Sequence, residues 1–433
     1  MNQFARLSAS LLRPSISRYS TADSGVPEHA EKHNIVHHDR LLSPEREAIR
    51  KNPALQEPRV EDTFVDPTKA SGVFPHPSFA NHDSVHFFRD APTGLRAIVG
   101  IHDTLLGPAL GGCRVYPYEN EAQALMDVLR LSRGMTYKAA CAGLPLGGGK
   151  AVIMGPLPEH PEERAALMRR FGMFVESLGG RYISAEDVGV MLCDMVQVRA
   201  MTKHVCGIPT EMGGSGNPAP HTAHGVYVGL KEAVKFRLEK ANLRGIKILV
   251  EGCGSVGSRL IEKLVNDEAD VYITDTNKAA LDAMVKRFGV VAVDPQEKFS
   301  LEVDVYSPNA LGGVLNEDSI PILKCAVVAG AANNQLLHAQ PNAEALKARN
   351  ILYTPDYICN AGGLVNVSLE LTPEGWSYER SINQLTQAIS TNLASVFDSA
   401  ERTGVSTYIA AKRLGIARLE KAAYDQGSHK SGW

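Results

Sequence analysis

The sequence predicts an α/β protein of two domains, and three observations carry that prediction. Beyond about residue 60, apolar strand-like runs alternate with amphipathic helix-like runs, the pattern of a mainly parallel sheet flanked by helices. A loop dense in glycine and proline, "GIPTEMGGSGNPAP", divides this alternation into two series. The chain's 433 residues are also too many for one ordinary hydrophobic core.

Taken in order, the first twenty-two residues stand apart. "MNQFARLSASLLRPSISRYSTA" holds Arg6, Arg13 and Arg18, is rich in serine and contains no acid. That composition predicts a mitochondrial transit peptide over residues 1–22 and a mitochondrial matrix location. Residues 23–60 read as a polar extension. His29, His33 and His37 fall there at helical spacing, but with no fourth ligand or packed frame they predict a solvated segment and not a metal site. "LRAIVGI" predicts a strand. "EAQALMDVLRLSRGMTYKAA" places Ala122, Leu125 and Leu129 on one face and predicts a helix. "KAVIM" predicts a short buried strand after a glycine-rich turn. A helix in "EERAALMRRFGMFVESL", a strand in "RYIS" and a helix near "MLCDMVQVRAMTKH", closed by Gly207, complete the first series. A helix beginning near Thr222 opens the second, and from about residue 370 only helices are expected.

Composition excludes several functions. Hydrophobic residues make up 44% and charged residues 21%, ordinary for a globular chain, and no apolar run is long enough to span a bilayer. A net charge of -3 lacks the basic footprint of a nucleic-acid binder. The seven cysteines are scattered and form no Cys-x-x-Cys pair, so neither a disulfide framework nor a zinc site is expected. The expected partners are small molecules.

"IKILVEGCGSVGSRLIEKLVNDEADVYITD" is the most specific local signal, because Gly252, Gly254 and Gly257 lie between an apolar strand and an amphipathic helix. The first glycine permits a tight turn, the second lets backbone approach a pyrophosphate, and the third allows close helix-to-strand packing. Ser255 and Val256 complete the phosphate-facing turn, with the helix amides behind it. Asp275 ends the next strand. A carboxylate there accepts from ribose hydroxyls and repels a 2′-phosphate, which predicts NAD as the cofactor. "GGGK" is not a phosphate-binding P-loop, since Leu144 and Ala151 stand where that pattern needs glycine and a hydroxyl.

The stretch "GMTYKAACAGLPLGGGKAVI" carries Lys138 and Lys150 in apolar surroundings with no carboxylate nearby in the sequence. Two ammonium groups in one partly dry site repel, and desolvation adds to the effect, so one should lose its proton more readily than in water. One lysine could hold a carboxylate while the other serves as acid or base. "RYISAEDVG" offers Asp187 at a strand end, as a proton-transfer group or as the N-cap of the helix that follows. Asn333, Asn334 and Asn360, in "AGAANNQ" and "YICNAGG", follow strand-like segments, where amides can orient a carboxamide or a carboxylate; ordinary turn residues are the alternative.

Together these blocks resemble the Glu/Leu/Phe/Val amino acid dehydrogenase family from about residue 85 to residue 415. The resemblance is carried by "GPALGGCRVYPY", "GMTYKAACAGLPLGGGKAVI", "SAEDVG", "GNPAPHTAHGV", "GCGSVG", "GAANNQ" and "NAGGLVN". It implies a substrate domain at 61–212, a Rossmann-type NAD domain at 213–368, and C-terminal helices at 369–433 that return to the first domain. It implies reversible oxidative deamination of an L-amino acid to a 2-oxo acid and ammonia, in a homo-oligomer.

By the same resemblance Lys138 holds the substrate α-carboxylate beside Gly111 and Gly112. Lys150 activates water and polarises the carbonyl, and Asp187 transfers protons. Asn333 and Asn360 position nicotinamide and substrate, while Thr222 and Asn309 lie at the cofactor. Glutamate dehydrogenases that resemble this chain carry a lysine where Leu110 stands. With Ala185, Leu364 and Val367 also apolar, the side-chain pocket implies an aliphatic or aromatic substrate, branched-chain favoured, because a lone carboxylate there would be costly. His221 and His224 flank Thr222 unusually for the family.

Overall fold

The computed structural model of the chain describes residues 72–76, 78–79, 81–428 and 430. The readings of residues 1–22 and 23–60, including the histidines at 29, 33 and 37, lie outside the described residues. The first sheet is built from β1 (Ser84–Asp90), β2 (Leu95–Asp103), β3 (Ala109–Tyr116), β4 (Gly147–Met154) and β5 (Tyr182–Glu186), in the order β1-β2-β4-β3-β5. β1 and β2 run antiparallel to their neighbours, and β3 pairs in parallel with both β4 and β5.

Both faces of this sheet are covered, and the strand period of two sorts the residues between them. Ala97, Val99, Ile101, Ala151 and Ile153 point to one face, against Phe171, Val175 and Val198 of α2 (Pro161–Ser177) and α3 (Leu192–Arg199). Ile98 and Val152 point to the other, against Ala124, Leu125, Val128 and Leu129 of α1 (Glu121–Ala142). α1 starts where the Asn120 side chain accepts from the Gln123 amide and stops at Gly143, whose φ of 69° ends the helix in left-handed backbone.

Two sequence expectations need correcting. The glycines before Lys150 are not a turn but the first residues of β4, and Gly148 shows why. A Cβ there would lie 2.1 Å from the Thr136 amide nitrogen, so its absence lets α1 press onto the strand. Turn propensity is overridden by a tertiary contact between α1 and β4, which no local stretch of the sequence announces. The helix expected up to Gly207 also ends earlier, at Arg199, and Val205 instead makes a parallel bridge to Ser184.

The second series follows α4 (Ala219–Leu238). It contains β6 (Lys247–Glu251), α5 (Gly257–Asn266), β7 (Asp270–Thr274), α6 (Lys278–Phe288), β8 (Val291–Ala292), β9 (Val305–Pro308), β10 (Val327–Val328), α7 (Ala339–Ala348) and β11 (Leu352–Tyr353). Every pairing is parallel and the order is β11-β10-β9-β6-β7-β8, the doubly wound Rossmann arrangement. Ile248 and Val250 of β6 face α4 and α5, whereas Leu249 faces the side packed by α7.

Two short helices, α8 (Asp356–Cys359) and α9 (Gly362–Ser368), lead to the long α10 (Tyr378–Thr403) and α11 (Thr407–Asp425). α10 packs along α4, and α11 returns to α1. There Gly415 leaves room for the Cys141 sulfur, and the Arg418 guanidinium donates to the carbonyls of Ala140 and Cys141 at 2.8 and 2.6 Å, capping the end of α1.

Candidate active site

The parallel pairing of β3 with β4 and β5 brings three strand ends together. Register places Cys113 beside Ala151 on one side and Glu186 on the other, so Lys150 and Asp187 flank the strand that carries Gly111 and Gly112. Lys150 is only 6% exposed, and its Nζ lies 2.7 Å from Oδ2 of Asp187. Arg114 donates to the same Oδ2 from 3.1 Å and also pairs with Asp127, which accepts from the Tyr118 hydroxyl at 2.6 Å. Burial pushes the Asp187 carboxyl up, but Lys150 and Arg114 outweigh it and hold the group below the usual carboxylate range. Asp187 is therefore ionised, and it is not a helix cap: α3 begins only after Met191, whose amide is met by Asp194.

Gly112 sits directly over this pair. A Cβ there would lie 2.8 Å from Cβ of Asp187 and 3.3 Å from Nζ of Lys150. Gly111 is equally constrained, since a Cβ would lie 1.7 Å from the Gly149 carbonyl oxygen. The paired glycines thus leave backbone, with no side chain, facing the lysine and the acid.

Lys138, on the last turns of α1, has a different setting. No side chain among the described residues lies within ion-pair or hydrogen-bond range of its ammonium. Burial, set against attraction from Asp356 and compounded by repulsion from Lys150, lowers its pKa to about 8. The expectation that one of two neighbouring lysines yields its proton easily is met by Lys138. No carboxylate is near either lysine in the sequence, but strand register delivers Asp187 to Lys150 from 37 residues along the chain.

The amides assemble on the other side. Asn360 follows α8, and its Nδ2 donates to the Asn333 side-chain oxygen at 2.7 Å and to the Ala331 carbonyl at 3.1 Å. Asn309, after β9, accepts from the Ala331 amide at 2.9 Å and so ties its own loop to the same segment. Gly362 and Gly363 press against the start of α4, where a Cβ on Gly363 would stand 3.5 Å from the Thr222 hydroxyl. Thr222, Asn333 and Asn360 therefore share one neighbourhood. His221 and His224 pack structurally: His221 lies between the rings of Trp376 and Tyr378, His224 bonds to Thr386, and burial lowers both to about 4. Leu110, Ala185, Leu364 and Val367 are all buried and belong to one continuous apolar cluster.

At the second sheet the three glycines divide their labour as their spacing predicts. Gly252 turns in left-handed backbone at φ 99°, Gly254 has open space where a Cβ would be, and Gly257 approaches the Gly252 carbonyl so closely that a Cβ would lie 1.8 Å from it. Ser255 and Val256 complete the turn into α5. Asp275, just past β7, accepts from the Cys253 amide at 2.6 Å and from the Asn277 amide at 2.7 Å, which fixes its carboxylate against the turn. An open, amide-lined cradle at a helix N-terminus beside an acid fits a dinucleotide.

Two functional candidates escape a reading of the sequence. Arg114 could have been found by extending the strand pairing, since it lies one residue past the position opposite Glu186. Asp356, in "TPDYICN", gives no local signal.

Residues 82–204 match the dimerisation domain of Glu/Leu/Phe/Val dehydrogenases, and residues 273–427 match the Glutamate/Leucine/Phenylalanine/Valine dehydrogenase domain. A leucine dehydrogenase of Geobacillus stearothermophilus is 44% identical over 348 residues, which is 80% of this chain and 93% of that protein. The solved structure of the L-tryptophan dehydrogenase from Nostoc punctiforme covers 79% of this chain and 97% of its own, with a TM-score of 0.69 and 41% identity. The hetero-hexameric glutamate dehydrogenase of Thermus thermophilus, in a leucine-bound form, covers 81% and 91% with a TM-score of 0.67 and 25% identity. The leucine and tryptophan dehydrogenases that match are bacterial, which overturns the mitochondrial reading. Arginine and serine richness without acids is a compositional feature only, and nothing among these relatives supports a transit peptide. The extent of identity, together with the lysine pair, the paired glycines and the dinucleotide cradle, places the chain in the Glu/Leu/Phe/Val dehydrogenase family: it is an amino acid dehydrogenase, an oxidoreductase of the NAD(P)-dependent class.

Proposed function

We propose that the chain catalyses NAD-dependent, reversible oxidative deamination of an apolar L-amino acid, with branched-chain substrates preferred. Residues 61–212 form the substrate half, 213–368 the dinucleotide half, and 369–433 the returning helices of a homo-oligomer. Lys138 takes the substrate α-carboxylate, with the backbone at Gly111 and Gly112 alongside. Bound nicotinamide supplies the hydride acceptor. Asn333, Asn360 and Thr222 orient the nicotinamide and the substrate against each other. Loss of hydride from Cα and of a proton from nitrogen leaves an iminium. Lys150 and Asp187 deliver water to that carbon and pass protons, so that ammonia leaves and the 2-oxo acid remains. Arg114 keeps Asp187 ionised and aimed at Lys150.

The observation that carries this reading is the 2.7 Å pair of Lys150 and Asp187 beneath a glycine backbone, with a second, unpaired lysine within electrostatic reach. Preference for an apolar side chain rests on Leu110, Ala185, Leu364 and Val367, among which a carboxylate would be stranded. Preference for NAD rests on the Asp275 carboxylate beside the cradle. The likeness to an L-tryptophan dehydrogenase supports a second reading, an aromatic substrate in the same pocket. Purified protein given a panel of L-amino acids with NAD or NADP, followed by nicotinamide absorbance, separates these. Leucine or valine with NAD is expected to react fastest, aromatic turnover would favour the second reading, and turnover of glutamate alone would overturn the pocket argument.

A further inference from the structure

Asp356 adds a second tie between the two asparagine segments, which Asn360 and Asn333 already join through their side chains. Its Oδ2 accepts from the Asn334 amide at 2.6 Å, and Oδ1 accepts from the Tyr357 amide at 2.9 Å. Asn334 is in left-handed backbone at φ 52°, a conformation unfavourable for a residue with a side chain unless neighbours enforce it. Here Asp356 holds its amide, and its carbonyl accepts from Gly313 at 2.8 Å. The residue before it is Asn333, whose side chain meets Asn360. The Asn360 amide in turn donates to the Asp356 carbonyl at 2.8 Å. One residue therefore pins both segments that present the amides.

α8, which begins at Asp356, packs against α1, the helix that carries Lys138. The Asp356 carboxylate attracts the Lys138 ammonium more strongly than any other group does. The other titratable groups around the two residues are Lys150 and Asp187 on the Lys138 side, with Tyr353, Tyr357, Cys359 and Tyr408 near Asp356. Burial raises the Asp356 carboxyl, opposed by the amides of Asn334 and Tyr357 and by Lys138.

We propose that Asp356 is a positioning residue for the reaction: it holds the asparagine loop through Asn334 while supplying the negative charge that faces Lys138 until the substrate carboxylate arrives. The inference rests on the amino acid dehydrogenase reading above, with Lys138 as the carboxylate-binding lysine. It separates two tasks that substitutions can divide. Asparagine at 356 keeps an oxygen for the Asn334 amide and removes the charge, whereas alanine removes both.

The test measures how the affinity of an apolar 2-oxo acid for the enzyme–NADH complex, without ammonia, varies with pH in wild type, Asp356→Asn and Asp356→Ala. Affinity depends on charged Lys138 and is lost as pH rises through its pKa. Removing an opposite charge lowers that pKa, so the break is expected to fall by about one pH unit in Asp356→Asn. Asp356→Ala is expected to show the same displacement and, because the loop is released, a kcat lower by about tenfold that Asp356→Asn restores. Asp356→Ser provides a second neutral variant with an oxygen for the loop. A profile for the neutral variants that superimposes on wild type would overturn the inference, as would failure of both to fold by circular dichroism. An inactive wild type would instead defeat the underlying reading.

Discussion

The surroundings of Lys150 and Lys138 differ more than their common charge suggests. Lys150 lies on a strand, is 6% exposed and is locked to Oδ2 of Asp187 at 2.7 Å, an oxygen that Arg114 also holds from 3.1 Å. Lys138 lies near the end of a helix, has no direct anion among the described residues, and is drawn down to about 8. An ammonium with a fixed carboxylate is set up to exchange protons with it. An ammonium without one is set up to receive an anion from outside, and its low pKa is the cost of waiting in a dry place. On the proposed reading, the fold sets two identical side chains to separate tasks.

The largest effect is expected at Lys150. Lys150→Ala is expected to lower kcat by about a thousandfold or more, the scale of a lost acid–base group, while NADH binding measured by fluorescence stays near wild type. Comparable loss of NADH binding would mean that the strand end, not the chemistry, had been damaged. Gly112→Ala is expected to act next in size. Its Cβ would crowd Asp187 and Lys150, and displacement of about an ångström costs about a hundredfold in kcat. Near-normal kcat in that variant would show that the pair tolerates movement. The mildest effect is in wild type itself. Lys138 is charged below its pKa and neutral above it, so affinity for a 2-oxo acid should be level at lower pH and weaken about tenfold per unit above pH 8. A flat profile through that range would assign the carboxylate to another group.

The sequence makes some of these features plain and conceals others, for physical reasons. The roles of Gly252, Gly254 and Gly257 are decided within one turn, so spacing alone exposes them. Gly147, Gly148 and Gly149 look like a turn because their reason lies elsewhere: helix α1, strand β2 and the Tyr182 ring each need the space that a Cβ would take. Lys150 seems uncompensated in the sequence because its partner, Asp187, is delivered by parallel register between β3, β4 and β5. Asp356 stays hidden for the same reason, since both its amide partner and the lysine it faces come from distant segments. Leu110, Ala185, Leu364 and Val367 are legible as apolar, but how they pack together depends on how α9, β3 and β5 approach.

The division of labour between the two lysines is tested most directly by titrating an apolar 2-oxo acid into the NADH complexes of Lys138→Met and Lys150→Met without ammonia. Lys138→Met is expected to lose binding by roughly ten- to a hundredfold, the worth of a charge-assisted hydrogen bond, whereas Lys150→Met is expected to bind within a few fold of wild type yet not turn over. Retained binding in Lys138→Met, with binding lost only in Lys150→Met, would contradict that division of labour.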